Sequence, residues 1–310
     1  MKKKIILYAD GSQEQGLGHL YRSYAIWTKY LQNFDYIFLY TNNIQKKFFL
    51  DRRLQIEHLG NFQSNEDEYI FFADTKEEDI SFLDGIRMSS AVSLSIDSYR
   101  TWVSDFNISI FPSFYYDSEL LAEIAKTTHV FSGKEYVAIR SEEKVEPEEK
   151  FNLLITFGGS DPNDITTKVI EYLQIKKLWK GVAIIIGPGF GKRLDYFQMR
   201  FPEFKFIENP SSTYRYIKNS AVVMTALGTT VQEIEYLGKK GIICFNYKDD
   251  QKDFNLIQKF SSNAKRWRSI GYFQELNLDQ IENFLHPDES SKVSEQIDWG
   301  SGWDKILATF

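Results

Sequence analysis

The feature that most constrains the fold is an alternation: short apolar runs, each followed by a helix-length interval, occur in two consecutive sets. The first set comprises Lys4 to Ala9, Tyr36 to Tyr40, Tyr69 to Ala73, Ala91 to Ile96, Ile108 to Ile110, and Val130 with Phe131. Alternation of strand-length and helix-length patterns predicts βαβ units on a parallel sheet. The second set comprises Asn152 to Phe157, Gly181 to Ile186, Phe204 to Ile207, Ala221 to Thr225 and Gly241 to Phe245. The charged stretch Arg140 to Lys150, interrupted by Pro147, separates the two sets and reads as a linker over 141–150. The sequence therefore predicts an α/β protein with two Rossmann-like domains, 1–140 and 151–285, and an interdomain cleft. A terminal segment, 286–310, with helix-like stretches around Leu278 to Phe284 and Trp303 to Ala308, is expected to pack across both.

Size and charge agree with that organisation. A chain of 310 residues is long enough for two domains. Its 37 basic and 43 acidic residues give a net charge of −6, without the basic stripe a nucleic-acid partner would require. The opening Met1-Lys2-Lys3-Lys4 resembles the basic end of a signal peptide, but the apolar run that follows stops at Asp10, as a first strand would. No apolar run approaches the roughly 20 residues of a membrane helix, so no stable membrane insertion is expected. The single cysteine, Cys244, lies inside a strand-like run and indicates a reducing, cytoplasmic setting.

The first strand runs into Asp10-Gly11-Ser12 and then Gly16-Leu17-Gly18-His19-Leu20-Tyr21-Arg22. Leu20, Tyr24, Trp27 and Leu31 recur at steps of four, three and four, one apolar face of a helix, which puts His19 in its first turn. The aligned peptide dipoles there favour a neutral imidazole, able to act as a base near pH 7. The alternative is an imidazole that only hydrogen-bonds its own loop. Asp97, at the end of another strand, either faces the crevice or caps a helix.

Two similar constructions occur in the second set. Phe157-Gly158-Gly159-Ser160-Asp161-Pro162 joins a strand to a helical pattern, with Ser160 or Asp161 placed to cap it and Pro162 suited to its first position. The loop reads either as a phosphate cradle at a helix start or as a tight, well-capped turn. Ala226-Leu227-Gly228-Thr229-Thr230-Val231-Gln232-Glu233 repeats the design. Glu233 has capping-box spacing from Thr230, as Gln232 has from Thr229, and a carboxylate there could instead accept both hydroxyls of a ribose. Two such starts in one domain favour a diphosphate ligand. Gly187-Pro188-Gly189-Phe190-Gly191 reads as a turn, since neither it nor the Gly11, Gly16, Gly18 set matches the dinucleotide fingerprint. His58, His129 and His286 are too dispersed for a local metal motif and read as structural or surface residues.

Taken in order, Gly16-Leu17-Gly18-His19-Leu20-Tyr21-Arg22, Gly133-Lys134-Glu135-Tyr136-Val137-Ala138-Ile139-Arg140, Phe157 to Asp161 and Gly228 to Glu233 resemble the nucleotide-sugar hydrolases of pseudaminic acid biosynthesis. That family removes UDP from a 2,4-diacetamido-2,4,6-trideoxy sugar and is similar to glycosyltransferases of the two-Rossmann-domain, GT-B type. The resemblance implies a GT-B-like fold, His19 as base, and Gly158, Gly159, Ser160, Gly228, Thr229, Thr230 and Glu233 around the UDP. It also implies substrate contacts from Gly16, Gly18, Arg22 and Gln251, a nucleotide-sugar substrate, and no cofactor or metal. Tyr8 stands where the family carries a basic strand-end residue, Gly11-Ser12 replaces a different small pair, and Asp250 replaces an asparagine.

A mechanism follows for a donor with UDP as leaving group. His19 would take the proton of a water attacking the anomeric carbon, Asp10 would orient the imidazole or the water, and helix amides near Ser160 and Thr229 would receive the diphosphate charge. Direct attack predicts inversion. A glycosyltransferase with a sugar or lipid acceptor in place of water is the alternative.

Overall fold

The computed structural model of the protein describes residues 3–12, 16–63, 69–139, 149–191, 193–210, 212–285 and 298–309. The chain divides into two compact units, Met1–Ala138 with Asp298–Phe310, and Ile139–Ile297. Residues 141–148 of the expected linker and 286–297 of the terminal segment lie outside the described residues.

The first unit is built on strands β1 (Lys4–Ala9), β2 (Tyr36–Tyr40), β3 (Ile56–His58), β4 (Tyr69–Asp74), β5 (Val92–Ile96), β6 (Ile108–Phe111) and β7 (His129–Ser132). They form one sheet in the order β3-β2-β1-β4-β5-β6-β7, with every neighbouring pair parallel. Burial on both faces explains why β1 and β4 read as continuous apolar runs. The helix side of this core includes Leu20, Ile26, Leu31, Phe38, Phe49 and Trp303. Trp303 comes from the terminal segment: its ring stacks on Tyr30 at 5.0 Å and its indole N–H donates to the Tyr136 carbonyl at 2.9 Å. The described part of that segment thus completes the core of the first unit.

The second unit repeats the plan with β8 (Phe151–Thr156), β9 (Val182–Ile186), β10 (Lys205–Glu208), β11 (Ser220–Ala226), β12 (Lys240–Phe245) and β13 (Trp267–Tyr272). Their order is β10-β9-β8-β11-β12-β13, again all parallel. Both units are therefore Rossmann-like, as expected from the alternation. Two edge strands, β3 and β13, are additional to the expected set; edge strands are flanked on one side only and carry more polar residues, so the apolar pattern is weak there. Among the described residues no helix is long and apolar enough to cross a membrane.

Cys244 lies in β12, fully buried, and burial pushes its thiol up to about 12. The native protein should therefore resist thiol reagents at pH 8, reacting only through opening of the second unit. Labelling as fast in native buffer as in urea would contradict this placement.

Candidate active site

In each unit the strand order reverses at one place, between β1 and β4 and between β8 and β11. Ligands of open parallel sheets bind beyond the carboxyl ends of the strands at such reversals. The residues that follow these four strands are Asp10, Thr75, Phe157 with Gly158, and Leu227 with Gly228.

In the first unit, the helix Gly18–Ile26 starts one residue before His19, giving the imidazole its expected place in the first turn. Gly16 pairs with Ser12 through bonds of 3.0 and 3.3 Å, closing the loop that precedes the helix. Gly11 is the residue at which this loop passes the helix: a Cβ there would lie 2.3 Å from Leu20 Cδ1. That accounts for a small residue after Asp10.

His19 Nδ1 lies 2.6 Å from Asp74 Oδ1, and both side chains are buried. Arg22, one turn further along the helix, grips the same carboxylate side-on, Nε to Oδ2 at 3.0 Å and Nη2 to Oδ1 at 2.6 Å. Its Nη1 donates to Asp97. Ser23 Oγ adds a fourth donor to Asp74 at 3.0 Å. Burial alone would raise the Asp74 carboxyl, but Arg22 and His19 outweigh it and hold the group well below the ordinary carboxylate range. Asp74 is thus ionised. Two lone pairs cannot face each other at such a distance, so the proton between the two side chains sits on Nδ1. The 3.0 Å separation of Arg22 Nη2 from Nδ1 then reflects two donors converging on one oxygen.

This arrangement bears on three assignments. The imidazole hydrogen-bonds Asp74, while Asp10, expected to orient the imidazole or the water, accepts from the Thr75 hydroxyl and, at 3.1 Å, from the Lys76 N–H. Burial raises the Asp10 carboxyl against those donors. Arg22, expected to contact substrate, directs its guanidinium into Asp74 and Asp97. Asp97 is neither a helix cap nor a free crevice residue, but the outer partner of Arg22, in a left-handed backbone conformation with φ of 51°. The signal for Asp74 is present in the sequence: Ala9-Asp10 and Ala73-Asp74 are the same strand-end pair.

In the second unit, the loop Gly158 to Ser160 follows β8, with Gly158 at φ of 77°. Asp161 caps the next helix, Ile165–Ile175, accepting from the Ile165 and Thr166 N–H groups at 3.0 and 2.7 Å. Those two amides are therefore occupied by a carboxylate, and Pro162 lies in the turn before the helix and not at its first position. Gly187-Pro188-Gly189 is more than a turn: it packs on the glycine loop, with the Gly189 N–H donating to the Gly159 carbonyl at 2.7 Å. Arg193 joins from the following helix, donating to the Ser160 carbonyl and, at 3.1 Å, to Asp164. A Cβ on Gly187 would fall 2.5 Å from the Gly159 carbonyl oxygen. Gly187→Ala should therefore displace that loop and cost about 1–3 kcal/mol, read as a lowered melting midpoint. Gly85→Ala, in the helix Asp84–Ser89, where a Cβ meets nothing within 4 Å, is the clash-free control and should not lower it.

The helix Thr229–Tyr236 starts directly after β11 with Gly228 as its N-cap and no side chain capping it. Thr229 and Thr230 are inside the helix, so neither capping box forms. Glu233 accepts the Thr213 hydroxyl at 3.0 Å. Gln251 is exposed on the helix Asp250–Phe260 and donates to Asn255 at 3.0 Å, while Asp250 accepts the Asn246 and Tyr247 N–H groups at 2.8 and 3.1 Å.

No protein-family model matches the chain. An uncharacterized protein of Methanocaldococcus jannaschii is 24% identical over 299 residues, a match covering 87% of this chain and 61% of that protein. The chain thus spans about three fifths of the length of this curated relative. Among solved structures, the UDP-GlcNAc 2-epimerase of Methanocaldococcus jannaschii in complex with UDP-GlcNAc and UDP matches with a TM-score of 0.59 at 14% identity, covering 100% of both chains. The glycotransferase of kitacinnamycin matches at 0.63 and 11% identity, covering 99% of this chain and 98% of its own. MurG of Acinetobacter baumannii matches at 0.56 and 10% identity, covering 100% and 99%. The fold is accordingly GT-B-like, two Rossmann-like halves in one chain.

Proposed function

We propose that this chain is an enzyme acting on a UDP-sugar, and that it releases UDP from a UDP-diacetamido-trideoxy-hexose by water attack at the anomeric carbon with inversion. The observation that carries the reading is the His19–Asp74 pair at the β1/β4 reversal, which in this reading holds a neutral imidazole by Nδ1 with Nε2 turned to the water. A base in that state takes the proton of the attacking water, and the buried Asp74 stabilises the imidazolium that results. Gly16 and Gly18 border the same helix start on the first unit. The diphosphate is assigned to the second unit, at the uncapped start of Thr229–Tyr236 with Gly228, Thr229 and Thr230, and at the Gly158, Gly159, Ser160 loop. Glu233 is assigned to the ribose and Gln251 to the substrate. No metal or cofactor takes part in this scheme. The resemblance to pseudaminic-type nonulosonic acid enzymes selects the sugar, and the likeness to structures bearing UDP-sugar names supports the nucleotide.

The test is an NMR time course of UDP-2,4-diacetamido-2,4,6-trideoxy-altrose with the protein and EDTA, without acceptor. Free sugar of inverted configuration, together with UDP, is the expected result. A donor that binds but stays intact until a sugar or lipid acceptor is supplied would make the protein a glycosyltransferase instead. Glu233→Ala should weaken UDP binding about tenfold, one charge-assisted contact; a variant that lost only thermal stability would return Glu233 to a structural role.

A further inference from the structure

We propose that Arg22 is a positioning residue whose charge keeps His19 neutral: by supplying the cation that the buried Asp74 carboxylate requires, it removes the need for an imidazolium. The inference deepens the reading of His19 as a base, and its test uses no substrate, so either can fail without the other.

An imidazole 2.6 Å from a buried carboxylate would ordinarily take a second proton and form an ion pair. Here the counter-charge is already in place. Arg22 holds both oxygens of Asp74 and cannot lose its proton. Its Nη2 stands 3.0 Å from Nδ1, so a second positive charge on the ring would face a cation at contact distance. The charged groups around the ring are Asp74 at the end of β4, Arg22 on the ring's own helix, Asp10 after β1, and Asp97 after β5, acting through Arg22. Asp97 fixes the far nitrogen, so the guanidinium cannot swing away from Asp74. Among these, only Arg22 opposes protonation of the imidazole. One elementary step is implied: the Nε2–H bond forms as the O–H bond of the attacking water breaks, its oxygen bonds the anomeric carbon as the bond to UDP breaks, and the guanidinium favours prompt release of the proton from Nε2 to solvent.

The experiment is ¹⁵N spectroscopy of histidine side chains at pH 7 in the full chain, with His19→Gln identifying one of four histidines. The wild type should show a single proton on His19, on Nδ1. Arg22→Met should place a second proton on Nε2, while Arg22→Lys, which keeps the charge but not the fork, should retain the neutral ring. A doubly protonated wild-type ring, a lone proton on Nε2, or an unchanged ring in folded Arg22→Met would overturn the proposal. Should Arg22→Met not fold, the wild type and Arg22→Lys still decide it, since a doubly protonated ring in either contradicts the charge argument.

Discussion

His19→Ala is expected to lower turnover by about 10³-fold while leaving UDP affinity within a factor of two, a figure in the range of positioned acid–base groups. The asymmetry comes from where the substitution acts. The residues assigned to the nucleotide belong to the second unit, whereas His19 hydrogen-bonds within the first. Truncation should not disturb the local fold either, because Asp74 keeps three donors, two from Arg22 and one from Ser23. Steady-state rates beside calorimetric UDP titration separate the outcomes. A parallel loss of rate and affinity would sink the base assignment and make His19 a binding residue. Asp74→Asn offers a second check at the same site. An amide can still accept from Nδ1–H, but it no longer stabilises an imidazolium, so the rate should fall while nucleotide binding holds.

What the sequence disclosed, and what it withheld, follows from the range of the interactions. Strands buried on both faces leave continuous apolar runs, so β1, β4, β9 and β12 were readable within a residue or so. Ile56-Glu57-His58 and Trp267 to Tyr272 were not, because an edge strand needs fewer apolar side chains. The placement of His19 depends on its own loop and helix and was therefore legible. Its partner is 55 residues away, marked in the sequence only by the repeated Ala-Asp strand end and by no spacing that ties it to His19. Arg22 shows the same limit: its substrate contact is implied by the family resemblance alone, and its hydrogen bonds to Asp74 and Asp97, 52 and 75 residues away, leave no mark in the local sequence. At Thr230 and Glu233 the capping arithmetic was sound but its origin was misplaced, since Gly228 starts the helix two residues earlier.

The largest stability loss outside the site should come from Glu235→Ala, about 3–5 kcal/mol, the usual consequence of orphaning one partner of a buried ion pair. Glu235 is 3% exposed and gathers donors from a single stretch of chain. These are Ser261 Oγ at 2.8 Å, Ser262 N–H and Oγ at 2.8 and 2.7 Å, the Trp267 indole at 3.0 Å and Arg266 Nη2 at 3.3 Å. Arg266 is equally buried, and its Nε has no partner among the described residues, so losing Glu235 strands a cation that already lacks one bond. The Trp267 ring is held so close to β12 that a Cβ on Gly241 would lie 2.2 Å from it, leaving no room for the indole to seek water. Glu171→Ala is the contrast: its bond to Arg200 is exposed, 41% and 50% for the two side chains, and its removal should cost no more than about 1 kcal/mol. Thermal unfolding of the two variants decides the matter, and equal shifts would mean that the Glu235 cluster contributes little. Because Glu235 lies on the helix whose start is assigned to the diphosphate, its loss should also weaken UDP binding in the fraction that remains folded.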